Sequence, residues 1–412
     1  MRARSARFAL ATAACAALAL GAAAPAFAAD ASNNDVGLFG AQDPSYDGVY
    51  RQSLAIIGLL AAGQAPDANA VTWLLAQQCS DGAFTAYRAD VSKPCDPKNE
   101  DENATAMAIQ ALAALHKPAD SALTALKKFQ LADGGFYDSA AFGAPASDAN
   151  STGLALSAFA AVGVDPSTIT KNGKTADDYL RSIQLACAAK GGGAFDFQPE
   201  KTLAANDYAT VQALLGQLGR SLPIAPSAPA ATAPACADPT DAASSASAAV
   251  SYIATRLTDA KGAIPSSLGS GADWTTTANA VLDLVAAGQG AGAVNAGLTA
   301  LQANAKAYAA TGAGALGTLL LVAHASGVDP TNFGGFDLVT ALTSTERAAA
   351  PTPSPTPSPS ASSPAPVATP PATLPMTGSA HAAPIAGVGG ALVLLGCCAL
   401  FASRRTRNGA VS

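Results

Sequence analysis

The sequence predicts an all-α chain in which six helical hairpins close into a ring, followed by a proline-rich linker and one last apolar helix. Three observations carry that expectation. Alanine-rich helical periodicities recur in units of about fifty residues, which marks a repeat architecture. A Gly-rich loop closes successive units, as "AQQCSDGAFTAY" from Ala76, "KKFQLADGGFYDS" from Lys127 and "AKGGGAFDF" from Ala189. Helices so rich in alanine also carry little apolar side chain on any one face, so a single pair cannot bury a core. Stacked pairs can, and Ala lets their axes approach closely. No charged capping helix ends the series, which favours closure over an open stack.

Taken in order, residues 1–28 read as a secretory signal peptide. Arg2, Arg4 and Arg7 precede an apolar run, Phe8 to Ala24, that closes on the small-residue cleavage site Ala26, Phe27, Ala28. Residues 29–347 form the repeat domain. Its first helices read "YRQSLAIIGLLAAG" from Tyr50, "NATAMAIQALAALH" from Asn103, "NSTGLALSAFAAVG" from Asn150, "NDYATVQALLGQLG" from Asn206, "DWTTTANAVLDLVAAG" from Asp273 and "ALGTLLLVAHASG" from Ala315. Several open on a capping residue and end in Gly. Their partners begin near Ala68, Ser121, Ala176, Ala242, Gly292 and Gly335, giving twelve helices. The Pro- and Ala-rich piece Leu222 to Ala242 is expected as a loop on one ring, a linker between two smaller domains being the alternative.

Residues 348–373 contain "PTPSPTPSPSASSPAPVATPPAT". Prolines fix φ and lack amide donors, so the segment is an extended spacer, on the order of 70 Å long at about 3.1 Å per residue. Residues 374–412 then place "LPMTG" at Leu374 to Gly378, an apolar stretch Pro384 to Ala402, and Arg404, Arg405 and Arg407. The apolar run suffices to cross a bilayer, and the arginines hold its end inside. This order resembles the cell-wall sorting signal of Gram-positive surface proteins. The resemblance implies that a sortase recognises Leu374, Pro375, Thr377 and Gly378, cuts after Thr377 and joins it to peptidoglycan. The membrane is then a transient station, and the expected location is the cell wall.

Cysteine usage fits export. Cys79, Cys95, Cys187 and Cys236 remain in the mature domain, an even number that suggests two disulfides. Three pairings are open, and the one with local loops joins Cys79 to Cys95 and Cys187 to Cys236. No pair is spaced as a zinc knuckle. A net charge of −6 argues against a nucleic-acid partner.

Within the loops, Gln78 to Phe84, "QCSDGAF", and Gln130 to Phe136, "QLADGGF", fit QxxxGxF. This resembles the QxxxGxW repeat of the terpenoid cyclase and protein prenyltransferase superfamily, of squalene-hopene cyclase type, with Phe for Trp. The resemblance implies an (α/α)6 toroid over roughly Ser45 to Leu342, with parallel inner helices whose N-termini gather at one mouth. It implies a joint role for the loops, each Phe wedged between successive helices.

The mouth would collect Asp101, Asn103, Asp148, Asp207, Asp273 and Trp274, residues that either cap helices or line a ligand entrance. Catalysis is poorly served. The superfamily's DxDDTA acid motif falls on "DENATA", Asp101 to Ala106, where the central acid is Asn103 and an amide cannot protonate a polyene. With 2 Trp and 8 Tyr, aromatic faces for a carbocation are few. His116 and His324 sit at helix ends with no Asp and Cys arranged to complete a zinc site, and no GxSxG elbow is present. Glycan cleavage by paired carboxylates among Asp148, Asp207 and Asp273 stays open. The sequence therefore points to a wall-anchored toroid that binds a small molecule or protein without catalysis, with no metal or cofactor. Cobalamin carriers use a similar ring. The alternative is a secreted enzyme on the same toroid, acting on isoprenoids or glycans.

Overall fold

A computed structural model of the chain describes residues 35–199, 201–232, 234–267 and 269–348, all within one compact unit. The signal peptide, linker and sorting-signal expectations fall outside these residues. Among the described residues no helix is long and apolar enough to cross a membrane.

Thirteen α-helices occur among the described residues: α1 (Gly48–Ala61), α2 (Ala68–Ala76), α3 (Glu102–Ala114), α4 (Asp120–Leu126), α5 (Ala149–Ala161), α6 (Ala176–Ser182), α7 (Asp207–Gln217), α8 (Ala242–Asp259), α9 (Trp274–Ala287), α10 (Ala291–Ala303), α11 (Ala305–Ala309), α12 (Ala313–Ala325) and α13 (Leu338–Thr343). Six of them, α1, α3, α5, α7, α9 and α12, pack each on the next, and α12 packs on α1, so the inner layer is a closed ring. α2, α4, α6, α8, α10 and α13 lie outside it as hairpin partners. The short α11 is the one helix beyond the twelve expected from the sequence. Asn304 interrupts the alanine run there, with its side chain bonded back to the Ala300 carbonyl.

Inner helices are covered on every side, and their sequences say so. α12 is apolar all round, and 11 of its 13 residues are buried. Where two inner helices touch, glycine permits the approach. A Cβ on Gly317 would lie 2.7 Å from the Leu54 carbonyl oxygen of α1, and one on Gly216 would lie 2.1 Å from the Gly153 carbonyl oxygen of α5. No side chain fits at such separations.

The recurring Gly-rich loops are joints. Gln78, Gln130 and Gln184 each donate from Nε2 to the carbonyl of a loop glycine, Gly82, Gly134 and Gly193, at 2.9–3.0 Å. These glycines have φ of 99°, 92° and 89°. A Cβ on each would sit 2.2 Å from a carbonyl oxygen of Ser121, Thr175 or Ala248, at the start of the next outer helix or within it. Phe84, Phe136 and Phe195 follow the glycines and are fully buried. The loop thus ties one hairpin to its successor through backbone contact and an apolar wedge, as the QxxxGxF resemblance implied. Gln184 fills the same place although its spacing to the glycine is longer.

The ring is sealed where the chain's two ends meet. Gly37 N–H donates to Arg347 O, Arg347 N–H to Leu38 O, and Gly40 N–H to Thr345 O, at 2.9–3.0 Å. Arg347 adds an ion pair to Asp35 at 2.7 Å. Both disulfides are present with the local pairing, Cys79 with Cys95 and Cys187 with Cys236. The second pins residues 222–241, a loop across one ring rather than a linker. Its amides reach Gln110 Oε1, Ala325 O and Gly288 O, so it covers the C-terminal ends of α3, α12 and α9.

Candidate functional site at the mouth of the ring

The inner helices have a common register. Four residues beyond the N-caps of α3, α5, α7 and α9 stands a threonine, Thr105, Thr152, Thr210 or Thr277. Each accepts a hydrogen bond from a loop amide on the outer side: Phe84, Phe136, Phe195 and Ile264, at 2.9–3.0 Å. In α1 Gln52 takes this place, accepting from Phe39 N–H. At about 100° per residue, the positions two before and two after this residue face the opposite way, into the ring. The outermost inward layer is therefore Tyr50, Asn103, Asn150, Tyr208 and Thr275. The next is Leu54, Met107, Leu154, Gln212 and Asn279.

Exposure falls with depth along these layers. Tyr208 is 40% exposed and Thr275 exposed, while Tyr50, Asn103 and Asn150 are half-buried. One turn down, Leu54 and Asn279 remain half-buried, and Met107, Leu154 and Gln212 are buried. Below them Ile57, Gln110, Ser157 and Leu282 are buried, with Leu215 half-buried. The mouth is thus a cup that narrows onto a packed floor, and the 222–241 loop covers the other end.

Beside the cup lies a set of carboxyls that helix capping only partly explains. Asp101 caps α3 through Ala104 N–H at 2.7 Å, and Asp148 caps α5 through Ser151 N–H and Oγ–H, each at 2.8 Å. Glu102 caps nothing. It is wholly buried, and neither Oε has a hydrogen-bond partner. Burial drives its pKa well above the usual range, reinforced by Asp148, Asp138 and Asp101. Burial raises Asp138 to about 6, and raises Asp148 to about 7 against the opposing Ser151 bonds. Asp101 is pushed up by burial and then by Asp138. Burial thus holds all four carboxyls above the ordinary carboxylate range, so they release their protons at higher pH than free carboxyls do. Among the described residues no group of His, Cys, Asp and Glu is arranged to hold a metal ion.

The residues singled out from the sequence divide. Asn103 donates to Asp138 Oδ1 at 3.0 Å and accepts from Asn150 Nδ2 at 3.4 Å, which makes a polar chain along the rim. Asp207 is occupied: Arg256 of α8 grips both its oxygens, at 2.9 and 2.6 Å, and Tyr252 O–H donates to it. Asp273 caps α9 through Thr276 N–H and Oγ–H, at 2.9 and 2.7 Å. Trp274 is half-buried against the core. The structure brings Asp101, Asn103 and Asp148 together with Glu102, Asp138 and Asn150. Asp207 is diverted to a structural pair.

Two further features were not foreseen. Ten residues beyond the N-cap stand Ala111, Ala158, Gly216 and Asp283 in α3, α5, α7 and α9. Asp283 is buried with Oδ2 unpartnered, and desolvation alone holds its pKa well above the usual range. At the ring's other end a shallow depression of about 210 Å³ lies between Ala61, Pro226, His324 and Pro330.

No protein-family model matches the chain, and no curated protein does. Among solved structures, the chain is similar to a protein from Actinoplanes, with 16% identity and TM-score 0.41 over 63% of this chain and 73% of that one. It is also similar to the type II terpene cyclase MstE from Scytonema, with 17% identity and TM-score 0.42 over 64% and 72%. A variant of MstE in complex with geranylgeranyl dihydroxybenzoate aligns with 13% identity and TM-score 0.40 over 71% and 87%. These likenesses are too distant to carry a function, and the ring stands on its own contacts.

Proposed function

We propose that the mature chain is a peptidoglycan-anchored surface protein whose helical ring binds a ligand or partner at its mouth without transforming it. The single observation behind this is the floor of the cup. Ile57, Gln110, Ser157 and Leu282 are buried two turns below a solvent-reached rim, which leaves room for recognition but none for a folded polyene. Anchoring rests on "LPMTG", the apolar run and the terminal arginines. On this reading residues 1–28 are removed, residues 348–373 span the wall, and a sortase joins Thr377 to peptidoglycan.

A second reading, a secreted enzyme, is favoured by one feature. Glu102 is a buried acid whose pKa burial holds well above the usual range, at the start of the helix where the resembling superfamily carries its own acid. Its burial from solvent and its missing partners argue for a structural acid until a substrate path reaches it.

The test has two parts. Muramidase digestion of walls from cells expressing the chain, followed by mass spectrometry, should yield a fragment ending at Thr377 linked to a wall peptide. Thr377→Ala should send the protein to the membrane or medium, and unchanged wall retention would reject the anchoring. A thermal-shift screen against isoprenoids, cobalamins and wall sugars should find a class that raises Tm without turnover. Product formation lost in Glu102→Gln would favour the enzyme instead.

A further inference from the structure

We propose that the cup takes a saccharide: a neutral, hydroxyl-rich ligand held by side-chain amides over an apolar floor. This rests on the mouth-binding reading and names its ligand class. The central observation is Gln212. It sits in the second inward layer, is 9% exposed, and its amide makes no hydrogen bond to any described residue. Its oxygen and nitrogen still reach solvent, so the carboxamide is open to whatever enters the cup. Asn150 Oδ1 in the layer above is buried and without a donor, although its Nδ2 is fixed on Asn103. Asn279, half-buried beside Gln212 in the same layer, supplies a third amide.

Each amide offers a donor and an acceptor about one hydroxyl spacing apart, the pattern that vicinal hydroxyls of a sugar ring complement. Leu54 and Leu154 lie in the same layer, so a ring with a polar edge and an apolar C–H face meets both kinds of surface. Tyr208, exposed at the rim, extends that apolar contact outward. Other ligand chemistries fit less well. An isoprenoid needs more depth than the floor allows. Among the described residues an anion finds no free cation facing it, since Arg51 is paired with Asp47 and Arg256 with Asp207.

Titration calorimetry on the full 412-residue chain in detergent tests this, with N-acetylglucosamine oligomers as one probe and neutral glucan oligomers as the other. Binding of either supports the proposal, and the preferred probe tells a wall glycan from a free polysaccharide. Gln212→Leu should weaken that binding about tenfold or more while Tm holds, because the amide bonds no other described residue. Asn279→Ala should weaken it without loss of helical circular dichroism. Binding that survives both substitutions would overturn the assignment to the cup. Failure of both probes at millimolar concentration, with an isoprenoid or cobalamin raising Tm, would overturn the saccharide and leave mouth binding standing. Failure of every ligand class would remove both.

Discussion

Glu102, Asp138 and Asp148 are carboxyls whose folded-state pKa values lie above the ordinary value, so the folded chain binds protons that the unfolded chain releases. Their contribution is complete in mild acid and is lost as pH climbs through the raised values, about 6 for Asp138 and about 7 for Asp148. The domain should therefore lose melting temperature between about pH 4 and pH 7, with each coupled proton worth up to about 1.4 kcal/mol per pH unit. Glu102→Gln keeps the shape and removes the charge, so it should raise Tm at pH 8 and flatten the profile. A wild-type Tm that rises over the same window would refute the account of these acids. Asp207 belongs to the opposite class. Its pair with Arg256 is partly exposed, so Arg256→Ala should cost only about 1 kcal/mol in urea unfolding after solvent screening. The capping acids at 101, 148 and 273 were legible from the sequence because an Asp before an apolar run has a local meaning. The burial of Glu102 was not, for nothing local distinguishes an exposed first-turn glutamate from one that the next hairpin covers.

At the level of elements, the loop joints carry the sharpest expectations. Gly134→Ala faces both a left-handed φ and the Thr175 carbonyl 2.2 Å away, so it should cost about 3 kcal/mol or more. Gly63→Ala, with φ 72° and open space, should cost about 1 kcal/mol. Equal costs measured by urea denaturation would mean that Gly134 serves only its turn and not the joint. Phe136→Ala empties a fully buried wedge and should cost about 3–5 kcal/mol. The hairpins and the DGGF joints were readable because their period and composition repeat. The third joint was harder, since Gln184 is separated from Gly193 by a longer insert that still delivers the same hydrogen bond. The inward layers were unreadable. Met107, Gln212 and Asn279 are identified only once the threonine bonds fix which way each helix is turned.

At the scale of the whole molecule, the ring follows from alanine. Hairpins with so little apolar side chain gain a core only from neighbours on both flanks, and the last flank is supplied by the first. The joining strip at Asp35 to Gly40 and Thr345 to Arg347 lies far apart in sequence, and no periodicity points to it. Arg347→Ala removes a largely buried pair with Asp35 and bonds to the Gly40 and Gln42 carbonyls, and should cost about 2–4 kcal/mol. A loss confined to the terminal helices would show an unzipping stack. Closure predicts that all six hairpins weaken together. The most direct measurement is amide hydrogen exchange at Gly37, Gly40 and Arg347. A closed ring protects these three amides to the same degree as the inner helices α1 and α12. Exchange at free-peptide rates there, with the inner helices still protected, would contradict the ring and with it the cup.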